Sequence, residues 1–201
     1  MKFRKLIFVL VIASVLVVSL MWGSSYAYYT SSGGTNFNVT TSNLDTNLTV
    51  VFNQSEYMNI KTGVPIAASD VDNYASKSVF TLLPNSNLLN GYDVLINVSL
   101  VDIKIDDALK VSDFKYKLTC NNGSSNTIVG SGNGSSFTSE VLTSNVLPLG
   151  SLSTTDNTFD VSKSYTCTFR VWIEDSGSSQ NELMNKTFSG LVKVGTVIKK
   201  S

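Results

Sequence analysis

Apolar residues fall along this chain in two different ways. Near the start they form one uncharged run from Leu6 to Trp22, interrupted only by Ser14 and Ser19, and beyond residue 27 they alternate with polar neighbours. Leu48, Val50 and Phe52 alternate, as do Phe114, Tyr116, Leu118 and Cys120, and again Tyr165, Cys167, Phe169, Val171 and Ile173. A period of two puts every second side chain on one face of an extended strand. These segments therefore predict strands with one face in a core and the other toward water. No heptad and no strong helical stripe competes with them.

The stretch Tyr92 to Ile105 alternates in one phase through Tyr92, Val94, Ile96, Val98 and Leu100, then in the other through Val101, Ile103 and Ile105. A one-residue slip is what a β-bulge produces, so this strand is expected to bend near Leu100 and Val101. Asn121 to Ser136 is so rich in Gly, Ser and Asn that it reads as an exposed hairpin loop. Ser69 to Val79 and Asp106 to Val111 have room for short helices, and Pro65, Pro84 and Pro148 are expected in connections or at strand ends. Together these features predict an all-β chain. Residues 41–201 would form a single jelly-roll-like or Greek-key β-sandwich of about eight to ten strands. Trp172 is out of phase with Val171 and Ile173, so it lies on the opposite face of its strand or is covered by something else.

The leading run changes where this sandwich should be. Lys2, Arg4 and Lys5 precede it, and its length of about 17 residues is at the lower limit for a helix able to cross a bilayer. Small residues at Ser25 and Ala27 then stand in the spacing a signal peptidase reads, so cleavage is expected between Ala27 and Tyr28. The alternative is an uncleaved anchor holding the chain in the membrane through residues 6–22. Either way, residues 1–27 direct export and the rest lies outside. Residues 28–40 would then be a flexible amino-terminal segment.

Composition removes several kinds of chemistry. The chain has no histidine, the usual general base, zinc ligand and centre of Ser/His/Asp or Cys/His triads, so no catalytic role is assigned to any residue. Carboxylate pairs are not excluded by this. Lys plus Arg and Asp plus Glu number 15 each, and loss of the three basic residues of the leader leaves the exported part mildly acidic; no basic patch points to nucleic acid. Cys120 and Cys167 both fall in the exported part, where thiols oxidise, and a disulfide between them is expected. Asp102, Asp106, Asp107 and Asp113 are close in sequence but match no EF-hand spacing, so they read as a solvated turn rather than a calcium site. No cofactor is implied. Asn-X-Ser/Thr triplets begin at Asn38, Asn47, Asn97 and Asn185. The acidic, Ser-rich stretch Glu174 to Glu182 reads as a polar hairpin loop.

Three stretches together resemble a known family. The junction Trp22-Gly-Ser-Ser-Tyr-Ala-Tyr-Tyr-Thr30 is similar to that of precursors cut by the SipW-type signal peptidase of Gram-positive bacteria. Cys167-Thr-Phe-Arg-Val-Trp-Ile-Glu174 and Asn185-Lys-Thr-Phe-Ser-Gly-Leu-Val-Lys-Val194 resemble the last strands of TasA/camelysin-like exported proteins. The resemblance implies a jelly-roll-like fold and extracellular biofilm fibres assembled by donor-strand exchange. Self-association would then be the principal partnership, with Tyr28, Tyr29, Phe37 and Val39 as the inserted strand. The peptidase label that family carries finds no zincin motif here. A monomeric adhesin or binding module held at the surface by its amino-terminal helix, with other cell-surface components as partners, remains the alternative.

Overall fold

The alternation in the sequence becomes nine strands among the described residues of a computed structural model, which are 50–53, 57–84 and 92–200. The leader, residues 28–40, and with them Ser25, Ala27, Tyr28, Tyr29, Phe37 and Val39, lie outside these residues. The strands are β1 (Val50–Asn53), β2 (Met58–Lys61), β3 (Ser76–Pro84), β4 (Tyr92–Ile105), β5 (Phe114–Asn121), β6 (Asn126–Asn133), β7 (Val146–Ser153), β8 (Tyr165–Ile173) and β9 (Thr187–Lys200). They make two antiparallel sheets, one ordered β1-β3-β8-β5-β6 and the other β2-β9-β4-β7. The pairs are nested: β5 with β6, β4 with β7, β3 with β8 and β2 with β9. That nesting is a ribbon wound once around a core. The fold is a jelly-roll β-sandwich with β1 added at one edge.

Period two explains which side chains meet inside. Phe114, Tyr116, Leu118 and Cys120 of β5 and Tyr165, Cys167, Phe169, Val171 and Ile173 of β8 are all buried. Phe114, Phe137 and Phe188 meet at the centre, with Phe188 5.3 Å from Phe114 and 5.7 Å from Phe137 between ring centroids. Each such ring contributes about 1.5–3 kcal/mol by leaving water. Cys120 and Cys167 are aligned partners on β5 and β8 and form a disulfide within one sheet.

The phase slip in β4 is present, displaced from the expected position. Val94, Ile96, Val98 and Leu100 face inward and the next buried residue is Ile103, so the extra residue lies at Val101–Asp102, and Val101 faces outward between Val146 and Leu191. Asp102 takes φ 53, a left-handed conformation that Asp tolerates better than a β-branched residue. Asn145 caps helix α2 (Ser139–Ser144; α1 is Val71–Tyr74) with φ 56, and its Oδ1 accepts the Ile103 N–H at 2.6 Å. The side chain replaces the ladder partner that the bulge removes.

Three expectations need correction. Asn121 to Ser136 is not simply a loop, because Asn126–Asn133 forms β6 at a sheet edge. Glycine is required by proximity on both β6 and β7: a Cβ on Gly130 would collide with the Leu149 carbonyl, and one on Gly150 with that of Val129, so the backbones of β6 and β7 touch and close one side of the sandwich. Pro148 lies inside β7 rather than in a connection. Edge position and a register shift between Val98 and Ser99 let an N–H be missing there. The helical part of Ser69 to Val79 is confined to a turn at Ala68–Asp70 and to α1, and β3 already begins at Ser76.

Candidate functional site

Beyond the end of β2, Thr62 ties two loops together. Its N–H donates to the Lys186 carbonyl at 2.7 Å, its carbonyl accepts from Asn185 N–H at 2.8 Å, and its hydroxyl donates to the Leu183 carbonyl at 2.5 Å. Ile66 then bridges β8, donating to the Ile173 carbonyl at 2.8 Å and accepting from Asp175 N–H at 3.0 Å. The segment Thr62–Ala67 is thereby anchored at Thr62 and Ile66 and forms a rim. Opposite it, α1 and the start of β3 form a second wall. The floor is the outward face at the end of β8.

Between these walls lies a cleft of about 420 Å³ lined by Thr62, Ile66, Asp70, Tyr74, Ser76 and Trp172 among others. Tyr74 stands 72% exposed at its mouth, and Trp172 is half-buried within it. Among the described residues, the side chains of Asp70, Tyr74 and Ser76 make no hydrogen bond or ion pair, and the buried indole N–H of Trp172 has no acceptor. Two aromatic surfaces with uncommitted polar groups around them suit a ligand that presents both C–H faces and hydroxyls.

The phase argument pointed to Trp172 but not to the rest of the cleft. Tyr74 sits on a one-turn helix with no periodic signal, and the rim is set by long-range hydrogen bonds. The acidic group does not converge. Asp106 Oδ2 accepts from Thr187 N–H at 2.7 Å, Asp113 Oδ2 accepts from Gln180 Nε2 at 2.7 Å, and Asp107 pairs with Lys110. The hydrogen bond and charge of Lys110 hold the Asp107 carboxyl below its ordinary value. The Glu174 to Glu182 stretch is less solvated than expected, because Gln180 is buried against Asp113 and the Glu174 carbonyl. Asn97 lies exposed on β4 and Asn185 has φ 59, whereas Asn38 and Asn47 lie outside the described residues. Among the described residues no helix is long and apolar enough to cross a membrane.

No family model and no curated protein matches this sequence. Among solved structures the chain is similar to a mutant of Xylanase10C from Cellvibrio japonicus in complex with xylopentaose, at 9% identity and a TM-score of 0.33, covering 68% of this chain and 28% of that one. The chain thus spans just over a quarter of that enzyme's length. It is also similar to a xylan-binding module, CBM15, at 10% identity and a TM-score of 0.34, covering 76% of this chain and 97% of that one. At these scores neither likeness bears on what this chain does.

Proposed function

We propose that this chain is an exported, non-catalytic binding module of the cell surface or extracellular space, and that the Trp172–Tyr74 cleft holds a saccharide. The observation that carries the reading is the cleft itself: an exposed Tyr74 and a half-buried Trp172 beside uncommitted Asp70 and Ser76, facing a wall held by the Thr62 and Ile66 hydrogen bonds. Aromatic rings take the apolar face of a sugar ring while polar side chains fix its hydroxyls. The buried disulfide fits an oxidising compartment. Affinity electrophoresis through gels containing neutral polysaccharides, xylan among them, tests the reading. Retardation of the native chain that Trp172→Ala and Tyr74→Ala both abolish is expected. Migration unaffected by every polysaccharide would refute it.

A second reading, a fibre subunit of the TasA-like kind, draws on a groove that adjoins the cleft at Ile60 and Ser76. Where β6 and β7 touch, the sheets close, but β2 and β3 diverge and leave a groove of about 740 Å³ between Tyr57–Ile60 and Ser76–Val79. Such a groove between sheet edges has the form needed to receive a strand from a second copy, with the segment from Tyr28 to Val39 as its candidate. Electron microscopy of the processed protein tests this, with filaments expected. Monomers persisting across concentration and pH would contradict it.

A further inference from the structure

The balanced overall charge hides a segregation by sheet. The five strands β1, β3, β8, β5 and β6 contain no Asp or Glu, and their four cations, Lys77, Lys115, Lys117 and Arg170, all alternate with buried residues and so stand on the outer face. Three of them are aligned. Lys77 on β3 is opposite Arg170 on β8, and Arg170 is opposite Lys117 on β5, giving a row about 10 Å long across three adjacent strands. Like charges directly opposite one another destabilise a sheet. The carboxylates that reach this face come from outside the sheet. Asp72 of α1 lies 3.5 Å from Arg170, and Glu174 lies 3.3 Å from Lys115. Lys77 and Lys117 have no ion-pair partner among the described residues. The same face carries the three buried polar atoms that lack a hydrogen bond among the described residues: Arg170 Nε, Trp172 Nε1 and Thr81 Oγ1. All three can donate a hydrogen bond, and Arg170 Nε and Trp172 Nε1 can only donate. Arg170 and Trp172 are two residues apart on one strand, so the row runs beside the cleft.

We infer that this face takes an anionic polysaccharide, its acidic groups along the Lys77–Arg170–Lys117 row and a sugar ring in the cleft by Trp172. The inference rests on the reading of the chain as a saccharide-binding module and adds the charge of the ligand. Charge complementarity selects the occupant: a cationic row on a mildly acidic exported chain favours a polyanion at one face only. The test measures binding of the full chain to polygalacturonate and to neutral xylan at low and high salt. Polygalacturonate should bind more tightly, with the difference vanishing at high salt. Lys77→Glu/Lys117→Glu should weaken polygalacturonate binding about tenfold and leave xylan binding unchanged. Lys104→Glu, which matches the charge change of Lys77→Glu alone but lies on the other sheet, should have little effect. Lys77→Glu alone, at an exposed position and checked by circular dichroism, keeps the result readable if the double variant misfolds. Equal affinity for the two polymers, equal losses in the Lys77/Lys117 and Lys104 variants, or duplex DNA bound as tightly as polygalacturonate would overturn the inference. Row-dependent polygalacturonate binding that Trp172→Ala leaves intact, with no neutral glycan bound, would overturn the cleft reading and leave the row standing.

Discussion

Reduction of the Cys120–Cys167 bond should cost this fold a large share of its stability. The two cysteines are 47 residues apart and are aligned partners on hydrogen-bonded neighbouring strands, so the native sheet needs no rearrangement to keep its form without the bond. The loss therefore falls mainly on the unfolded chain, which regains the freedom of a loop of that size. Chain-entropy arithmetic gives about 4 kcal/mol at 25 °C. For a domain of this length that corresponds to a melting temperature lower by roughly 10 °C. With a urea slope of about 2 kcal/mol/M, the midpoint should fall by about 2 M. Both cysteines are 0% exposed, so reductant must act through unfolding and the protein should be equilibrated with it at each urea concentration. Circular dichroism then reads the midpoint, and alkylation followed by mass measurement confirms complete reduction. A midpoint moved by less than about 0.3 M in fully reduced protein would refute the loop-closure reasoning.

Phe188→Ala should destabilise the fold by about 3–5 kcal/mol, since the ring is fully buried between Phe114 and Phe137; urea denaturation measures it. Gly130→Ala should cost about 1–3 kcal/mol by forcing β6 away from β7. Gly63→Ala, where a Cβ meets nothing within 4 Å, should stay within about 0.5 kcal/mol, and equal effects of the two would contradict the account of sheet closure. The Ser162 hydroxyl and N–H hold the Asp160 carboxyl below its ordinary value. Because the folded value is depressed, the contribution is present above the ordinary carboxylate pKa and is lost as pH falls through the folded value. The stability gap between native protein and Asp160→Asn should therefore be constant near neutrality, begin to close below about pH 4 and vanish once the pH is below the folded value. A gap that persisted at that acidity would refute the assignment.

What could be read from the sequence followed the physics of strands. Alternation alone identified β5 and β8, their inward cysteines and the slip in β4, because period two survives whatever the strand pairs with. The slip was misplaced because Val101 is apolar yet faces outward, flanked by Val146 and Leu191 on the neighbouring strands. β6 was missed because its glycines are dictated by distant neighbours, Gly130 by the touching backbone of β7 and Gly132 by the Tyr116 ring, which no local pattern records. The basic row escaped for a similar reason. Lys77, Lys117 and Arg170 are far apart in the chain, and only the register of three strands aligns them. In the cleft, Trp172 was legible by its phase, whereas Tyr74 sits on a one-turn helix with no periodic signal and the Thr62 rim depends on contacts more than 100 residues apart.

The central claim is that the cleft around Trp172 holds a sugar ring. With Trp22 replaced by Phe, Trp172 is the one tryptophan of the full chain, so its emission reports on the cleft alone. Titration with soluble oligosaccharides of xylose, glucose and N-acetylglucosamine should give a saturable change with at least one of them, and Tyr74→Ala should abolish it. No saturable change with any of them in correctly folded protein, or a titration left unaltered by Tyr74→Ala, would contradict the claim.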